Sequence, residues 1–294
     1  MRAQPAAVTA LCLLAVGGCS GAPAHRGDEP LPAPFDGVAV ASTEQAKSLH
    51  ELEERAVTAC MRQRGFSYRE VPAGRMVAEN PYGLLTEAQA AREGYGLTAD
   101  LLAGLPDDPN SQLLTRLDAR RRAAWRNALT GTSKHERTLS APDSPDLLIN
   151  TDGCVYLGRR TLYGSEWEQA ELTIAGLTAR VINRVLTDPG FRSAQQAWAD
   201  CLRAKGESFT TLQDARGTIQ NAANKAGSNR VALQAVGRRE LQLAERDAAC
   251  QRQSDLAEAV RTAQKRVEAA LPASTRRQAA KLADLRKQAL SSAM

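Results

Sequence analysis

The chain has 294 residues, 43% of them hydrophobic but only 4% aromatic, with a formal net charge of +5. Apolar content that leans on Ala, Leu and Val favours packed helices over a β-sandwich. The charge is uneven: from Arg238 to Met294, 12 Lys/Arg stand against 7 Asp/Glu, so this tail carries the whole excess.

The chain opens with Met1-Arg2, an apolar run from Ala6 to Val16, and then Gly17-Gly18-Cys19. Eleven apolar residues are too few to cross a bilayer core of about 30 Å, which takes about 20. The charged start and small residues fit a cleaved secretory signal. Leu14-Ala-Val-Gly-Gly-Cys19 resembles the lipobox of bacterial lipoproteins, in which the cysteine is lipid-modified and becomes the new N-terminus. Val16 stands where that motif most often has Leu, and an ordinary signal peptide with a chance cysteine is the alternative. The resemblance implies a signal peptide over 1–18, lipid on Cys19 and an extracytoplasmic, membrane-attached protein. Each buried methylene adds about 0.8 kcal/mol, so stable attachment takes more than one acyl chain. Removing residues 1–18 leaves 276, enough for one large or two small domains.

Residues 19–41 are rich in Pro, Gly and Ala and read as a flexible tether. The body, 42–294, is expected to be mainly α-helical, in two related parts of about 42–160 and 161–294. Ser42 or Thr43 caps a first helix that carries Leu49, Leu52, Ala56, Ala59 and Cys60 at helical steps and ends near Gly65. Short helices fit 86–93 and 98–104, and Pro109 opens a longer one to about Thr130. Asp152-Gly153 between the apolar runs 147–151 and 154–157 predicts a small β-hairpin, the only sheet expected. Ser165-Glu-Trp-Glu168 has the form of a capping box and starts a helix striped by Trp167, Ala170, Ile174, Leu177, Val181 and Val185. A further helix follows from Phe191 to about Lys205. The C-terminal third reads as a long helical hairpin: Ser228 to Leu271, a break at Pro272, and a last helix capped by Ser274 or Thr275.

Apart from Cys12 and Cys19, the cysteines are Cys60, Cys154, Cys201 and Cys250. An even number in an exported chain reads as two disulfides, with three connectivities open. Zinc is not expected, because no CxxC pair exists and the nearest histidine, His50, lies ten residues before Cys60. Two segments echo each other: Cys60-Met-Arg-Gln-Arg-Gly65-Phe-Ser-Tyr68 and Cys201-Leu-Arg-Ala-Lys-Gly206-Glu-Ser-Phe209. The pattern is that of a helix ended by a left-handed glycine, with basic residues at its negative end and a cysteine placed to staple it. A clamp on an anion by Arg62 and Arg203 is the functional alternative.

Trp198-Ala-Asp-Cys201, followed by Glu240, Ala244, Asp247 and Cys250, resembles a W-x-x-C…E-x-x-x-A-x-x-D-x-x-C pattern of actinomycete secreted and lipid-anchored proteins. Pro81-Tyr-Gly83 and Gly94-Tyr-Gly96 are similar to the tyrosine-glycine turns between its two parts. An excess of 31 Arg over 7 Lys, expected of a GC-rich genome, agrees with that source. These proteins are of unknown function, so the resemblance implies no activity. It does imply pairing of Cys201 with Cys250, which leaves Cys60 for Cys154.

No HExxH, GxSxG, SxxK or phosphate-binding glycine loop is present, and His25, His50 and His135 sit in no catalytic or metal-binding motif. Asp107-Asp-Pro-Asn110 lacks the glycine and closing glutamate of a calcium loop and reads as helix-entry chemistry. No cofactor, metal or catalytic residue is therefore expected. The expectation is a non-catalytic binding or interaction module of the cell envelope, held by lipid on Cys19. Its partner would be an envelope protein or an anionic wall polymer such as a teichoic acid, with nucleic acid excluded by export. The basic tail would meet anionic surfaces or simply stay solvated. A cell-wall hydrolase or transferase using a carboxylate pair, such as Glu53/Glu54 or Glu166/Glu168, is one alternative. A transport-associated solute-binding lipoprotein is another.

Overall fold

A computed structural model describes residues 30–37, 41–74, 80–103 and 108–292. Cys19 and the signal segment lie outside the described residues. Twelve α-helices and one two-stranded sheet are described, a mainly α fold.

The first helix, α1 (Thr43–Gln63), starts with a reciprocal capping box between Ser42 and Gln45. Short helices α2 (Glu87–Glu93), α3 (Ala99–Ala103) and α4 (Ser111–Thr115) follow, then α5 (Ala119–Thr130). The single helix expected over 109–130 is thus divided. The Asp118 carboxylate caps the Arg121 amide, and the Arg122 guanidinium donates to the carbonyls of Leu114 and Leu117, holding the break closed.

Strands β1 (Glu136–Leu139) and β2 (Leu147–Asn150) pair antiparallel, with Glu136 opposite Asn150 and Leu139 opposite Leu147. A small sheet is present, but Asp152-Gly153 does not turn it. The Asp152 carboxylate instead accepts the amide (2.8 Å) and hydroxyl (2.8 Å) of Thr132. Gly153 lies so close to the end of α5 that a Cβ would come within 2.5 Å of the Gly131 nitrogen. Tertiary contact overrides the local turn signal, and Cys154 begins α6 (Cys154–Tyr163) rather than a strand.

Next come α7 (Trp167–Leu186) and α8 (Pro189–Ala204), the latter capped by Asp188 with Pro189 in its first turn. The expected stripe of α7 is buried at Trp167, Ile174, Leu177, Val181 and Val185. Its capping box is not formed: Glu166 is the N-cap and no side chain caps the first turn. The chain continues through α9 (Leu212–Ala226), α10 (Arg230–Gln253), α11 (Leu256–Ala269) and α12 (Ala273–Ser291). The helix expected over 228–271 breaks at Asp255, whose φ of 50° is left-handed, and this redirects the chain so that Leu256 is fully buried. Pro272, not Ser274 or Thr275, occupies the N-cap of α12, and Thr275 is buried inside the helix. Seated by Ala279, Leu282 and Ala289, α12 packs on α7, α6 and α1, so the C-terminal third is not a simple hairpin.

Disulfides join Cys60 to Cys154, tying α1 to α6, and Cys201 to Cys250, tying α8 to α10. The helix ends beside them are closed alike. Phe66 N–H donates to the Met61 carbonyl and Glu207 N–H to the Leu202 carbonyl, each at 3.0 Å, across Gly65 (φ 78°) and Gly206 (φ 83°). Arg203 pairs with Asp200 on its own helix. In the chain-entropy account, closing loops of 94 and 49 residues gives just under 5 and about 4 kcal/mol. From Leu31 onward the chain forms one compact unit. Its larger core combines Leu49, Tyr82, Leu84 and Tyr95 with residues of α7–α12, so the stretches before and after residue 160 share an interior. A smaller core of Val57, Met61, Trp125, Ala128 and Cys154 surrounds the first disulfide.

Within the stretch read as a tether, the described residues are not free. Pro34–Gly37 form a 3-10 turn, Phe35 is buried and Leu31 packs against the core. The Phe35 amide donates to the Glu268 carboxylate (2.7 Å), the Gln264 amide to the Ala33 carbonyl (2.8 Å) and the Asn80 amide to the Pro32 carbonyl (2.8 Å). Composition alone hid this strap, because two of its anchors lie more than two hundred residues away on α11. Burial pushes the Glu268 carboxyl above its ordinary value of 4.5; the Phe35 amide opposes the shift and Asp36 adds to it. The folded state therefore holds this proton more tightly than the unfolded chain, and its contribution to stability falls as pH rises past 4.5. Glu268→Gln keeps an acceptor for Phe35 and removes the titration. In thermal melts, the Tm of that variant relative to wild type should rise between about pH 4 and about pH 7.5. A difference independent of pH would contradict the assignment.

Candidate functional site

The residues that carry the family-like pattern converge in the interior. Glu240 and Asp247 lie seven residues apart, two turns of α10, and so face the same way. Asp247 is fully buried. It accepts from Trp198 Nε1 (2.7 Å) and Gln251 Nε2 (2.8 Å) on one oxygen and from Tyr95 Oη (2.8 Å) on the other. Burial pushes its carboxyl above the usual range, while the Tyr95, Gln251 and Trp198 hydrogen bonds pull it back. Burial, reinforced by Asp247, drives the Tyr95 hydroxyl far above its ordinary value.

Glu240 accepts the Leu97 amide (2.7 Å) and the Thr98 amide (2.9 Å), together with the Thr98 hydroxyl. Gly94, at φ 63°, is needed here, because a Cβ would come within 2.9 Å of Glu240 Cγ. Gln251 extends the row by accepting the Leu85 amide at 2.9 Å. Trp198, Tyr95, Gly94, Glu240 and Asp247 thus form one enclosed network that fastens the segment 82–98 and α8 onto α10. Every carboxylate oxygen in it is engaged by the fold, so the network is structural. Glu207, at the end of α8, accepts from Arg239 (2.5 Å) and Arg246 (2.7 Å); the Arg239 hydrogen bond leads in holding its carboxyl below the usual range.

In each acidic pair singled out in the sequence, at least one member is engaged by neighbouring groups. Glu53 accepts from Arg159 (3.0 Å) and Tyr163 (2.7 Å), and Glu54 accepts from Tyr68 (2.9 Å) and the Val71 amide (2.7 Å). Glu168 is enclosed, both its oxygens lacking a hydrogen-bond partner. Beside it Trp167 stacks on Tyr163 at 3.9 Å, with the Arg286 guanidinium 5.7 Å from the Trp167 ring. Burial raises the Glu171 carboxyl nearby, against the pull of Arg159 and Arg286. His50 contacts the Val71 carbonyl at 2.8 Å. Among the described residues, no group of three or more His, Cys, Asp or Glu is placed to hold a metal, and no helix is long and apolar enough to cross a membrane.

An open groove of about 370 Å³ lies on the body. Its floor is the first half of α7, where Gln169 and Thr173 stand four residues apart on one face with Ala170 beside them, and Ser165 lies in the turn just before the helix. One wall is β1, whose alternate residues Arg137 and Leu139 line the groove. The other wall is α12, with Gln278 and Lys281. The β1 wall is pinned from behind: Ser144 Oγ donates to the Leu172 carbonyl (3.1 Å) and Asp143 pairs with Arg180. Gly176 allows that approach, since a Cβ there would meet the Pro142 carbonyl oxygen at 2.4 Å.

Glu166 on the rim is bound by Lys281 at 2.7 Å, and Gln169 donates to the Ser140 carbonyl at 3.0 Å. The Arg137 guanidinium has no hydrogen bond or ion pair among the described residues. Sequence reading missed Arg137, Gln169, Thr173 and Lys281. They come from three elements spread over 145 positions, and no local motif links them. The pairing that the resemblance implied, Cys60 with Cys154 and Cys201 with Cys250, is the one present.

No family model, curated protein or solved structure matches the chain.

Removing the Glu240 carboxylate leaves two backbone amides and a hydroxyl buried without an acceptor. Glu240→Ala should therefore cost about 3–4 kcal/mol in urea unfolding. Thr98→Val, which removes only the hydroxyl, should cost about 1 kcal/mol.

Proposed function

We propose that this protein is an extracytoplasmic lipoprotein, anchored to the membrane by lipid on Cys19, whose helical body is a non-catalytic binding module of the cell envelope. The observation that carries the reading is the run Leu14–Cys19 after a short charged and apolar leader. Two disulfides in one body agree with it, since such bonds persist in oxidising compartments. The strap adds a spatial consequence. With Leu31–Phe35 held on the body, the chain from Cys19 to Leu31 reaches at most about 40 Å. The body would then stay close to its membrane.

Binding is favoured over hydrolysis because each candidate pair has at least one acid already engaged by its neighbours. Glu53 and Glu54 hold neighbouring side chains and backbone, and Glu166 is engaged by Lys281. The groove remains as a surface with exposed donors. A two-lobed solute binder would need an extensive sheet, against the single pair β1–β2 described here.

The test is expression of the full chain in a lipoprotein-processing bacterial host. Wild type should fractionate with membranes and yield an N-terminal peptide beginning at Cys19 with added diacylglyceryl mass. Cys19→Ser should leave the membrane fraction. Membrane release of the wild type, with an unmodified Cys19 peptide, would overturn the anchor.

A further inference from the structure

The groove between β1, α7 and α12 brings two cationic side chains to facing walls over a floor of hydroxyl and amide groups. Resting on the reading of the body as a binding module, we propose that this groove recognises a phosphodiester-linked polyol chain, with Arg137 and Lys281 each taking a phosphate.

Arg137 comes from β1 and Lys281 from α12, so the two charges reach the groove from different elements. The Arg137 guanidinium is without a partner among the described residues and offers a planar fork of donors suited to phosphate oxygens. Lys281 is held by Glu166, but that pair is exposed, with side chains 46% and 68% accessible. An exposed ion pair contributes only about 0–1 kcal/mol, so exchange of Glu166 for an incoming anion is easy. Ser165, Gln169 and Thr173 also line the groove; the Thr173 hydroxyl donates to the Gln169 carbonyl (2.7 Å) and the Gln169 amide to the Ser140 carbonyl (3.0 Å), which leaves side-chain oxygens to accept from the hydroxyls of a linking polyol. The volume of about 370 Å³ lies within the roughly 300–1,000 Å³ of small-ligand sites and suits a short segment of a longer chain.

Arginine and lysine donate only, and both are characteristic phosphate ligands, the arginine through its planar fork and the lysine as a point charge; a phosphodiester presents them its two unesterified oxygens. The basic excess of the C-terminal tail would steer any polyanion towards α12, but steering alone gives no preference for one chemistry.

The test uses the full chain carrying Cys19→Ser, so that no acyl chain contributes to binding. Isothermal titration is run with poly(glycerol phosphate), with polygalacturonate and with neutral dextran. Binding to the phosphate polymer, tighter than to polygalacturonate and absent with dextran, is expected. Arg137→Ala combined with Lys281→Ala should weaken it at least tenfold with an unchanged circular dichroism spectrum. The pair Arg276→Ala and Arg277→Ala, exposed on α12 outside the groove, should change it less than threefold.

Equal losses from the two double variants would mean diffuse attraction to the basic helix and overturn the site. Tighter binding of polygalacturonate would overturn the phosphate assignment, and no binding of either polyanion would overturn the proposal. Each of these outcomes is independent of membrane fractionation, so the groove and the anchor can fail separately.

Discussion

Two carboxylates buried two turns apart on α10 set the terms for the rest of this fold. A buried charge is tolerable only when hydrogen bonds replace its water. Asp247 meets that requirement with an indole, a phenol and an amide, and Glu240 with two backbone amides and a hydroxyl. The partners come from α8 and from the irregular segment between α2 and α3. Satisfying the two acids therefore specifies where an aromatic-poor chain must place Trp198 and Tyr95. The neighbouring disulfide, Cys201–Cys250, ties the same two helices covalently one turn further along. Polar satisfaction and a covalent link together do what a larger aromatic core does elsewhere.

This interior was partly legible in the sequence. The spacing of Glu240, Ala244, Asp247 and Cys250 puts them on one helical face, and the stripe of α7 identified its buried side. The repeated cysteine segments gave the same helix ending at both sites, down to matching hydrogen bonds around Gly65 and Gly206. Local signals failed where distant contacts outweighed them. Asp152-Gly153 favours a tight turn, but Thr132 and the backbone at Gly131 draw it into the entry of α6. Asp255 and the region before Asp118 interrupt helices whose apolar spacing continues through the break. The strap was hidden for the same reason, since a Pro- and Ala-rich stretch is ordered by Glu268 and Gln264.

The carboxylates enclosed in the α10 network hold the body together; under the proposed function, recognition falls to side chains that the fold exposes. Arg137, Lys281 and the polar stripe of α7 meet only because α12 crosses α7 and the β1–β2 loop is pinned at Gly176. The candidate site was therefore far less legible than the fold: its residues share no motif, and their meeting is a property of tertiary packing.

The most direct measurement of the central claim is native-state hydrogen exchange at Leu97 and Thr98, whose amides donate to Glu240. They lie in a non-helical turn, where local opening would ordinarily make exchange fast. If the buried carboxylates fasten this segment to α10, both amides should exchange only through global unfolding, with the same opening free energy as the core of α10. Fast exchange at Leu97 and Thr98 while α10 stays protected would contradict the account.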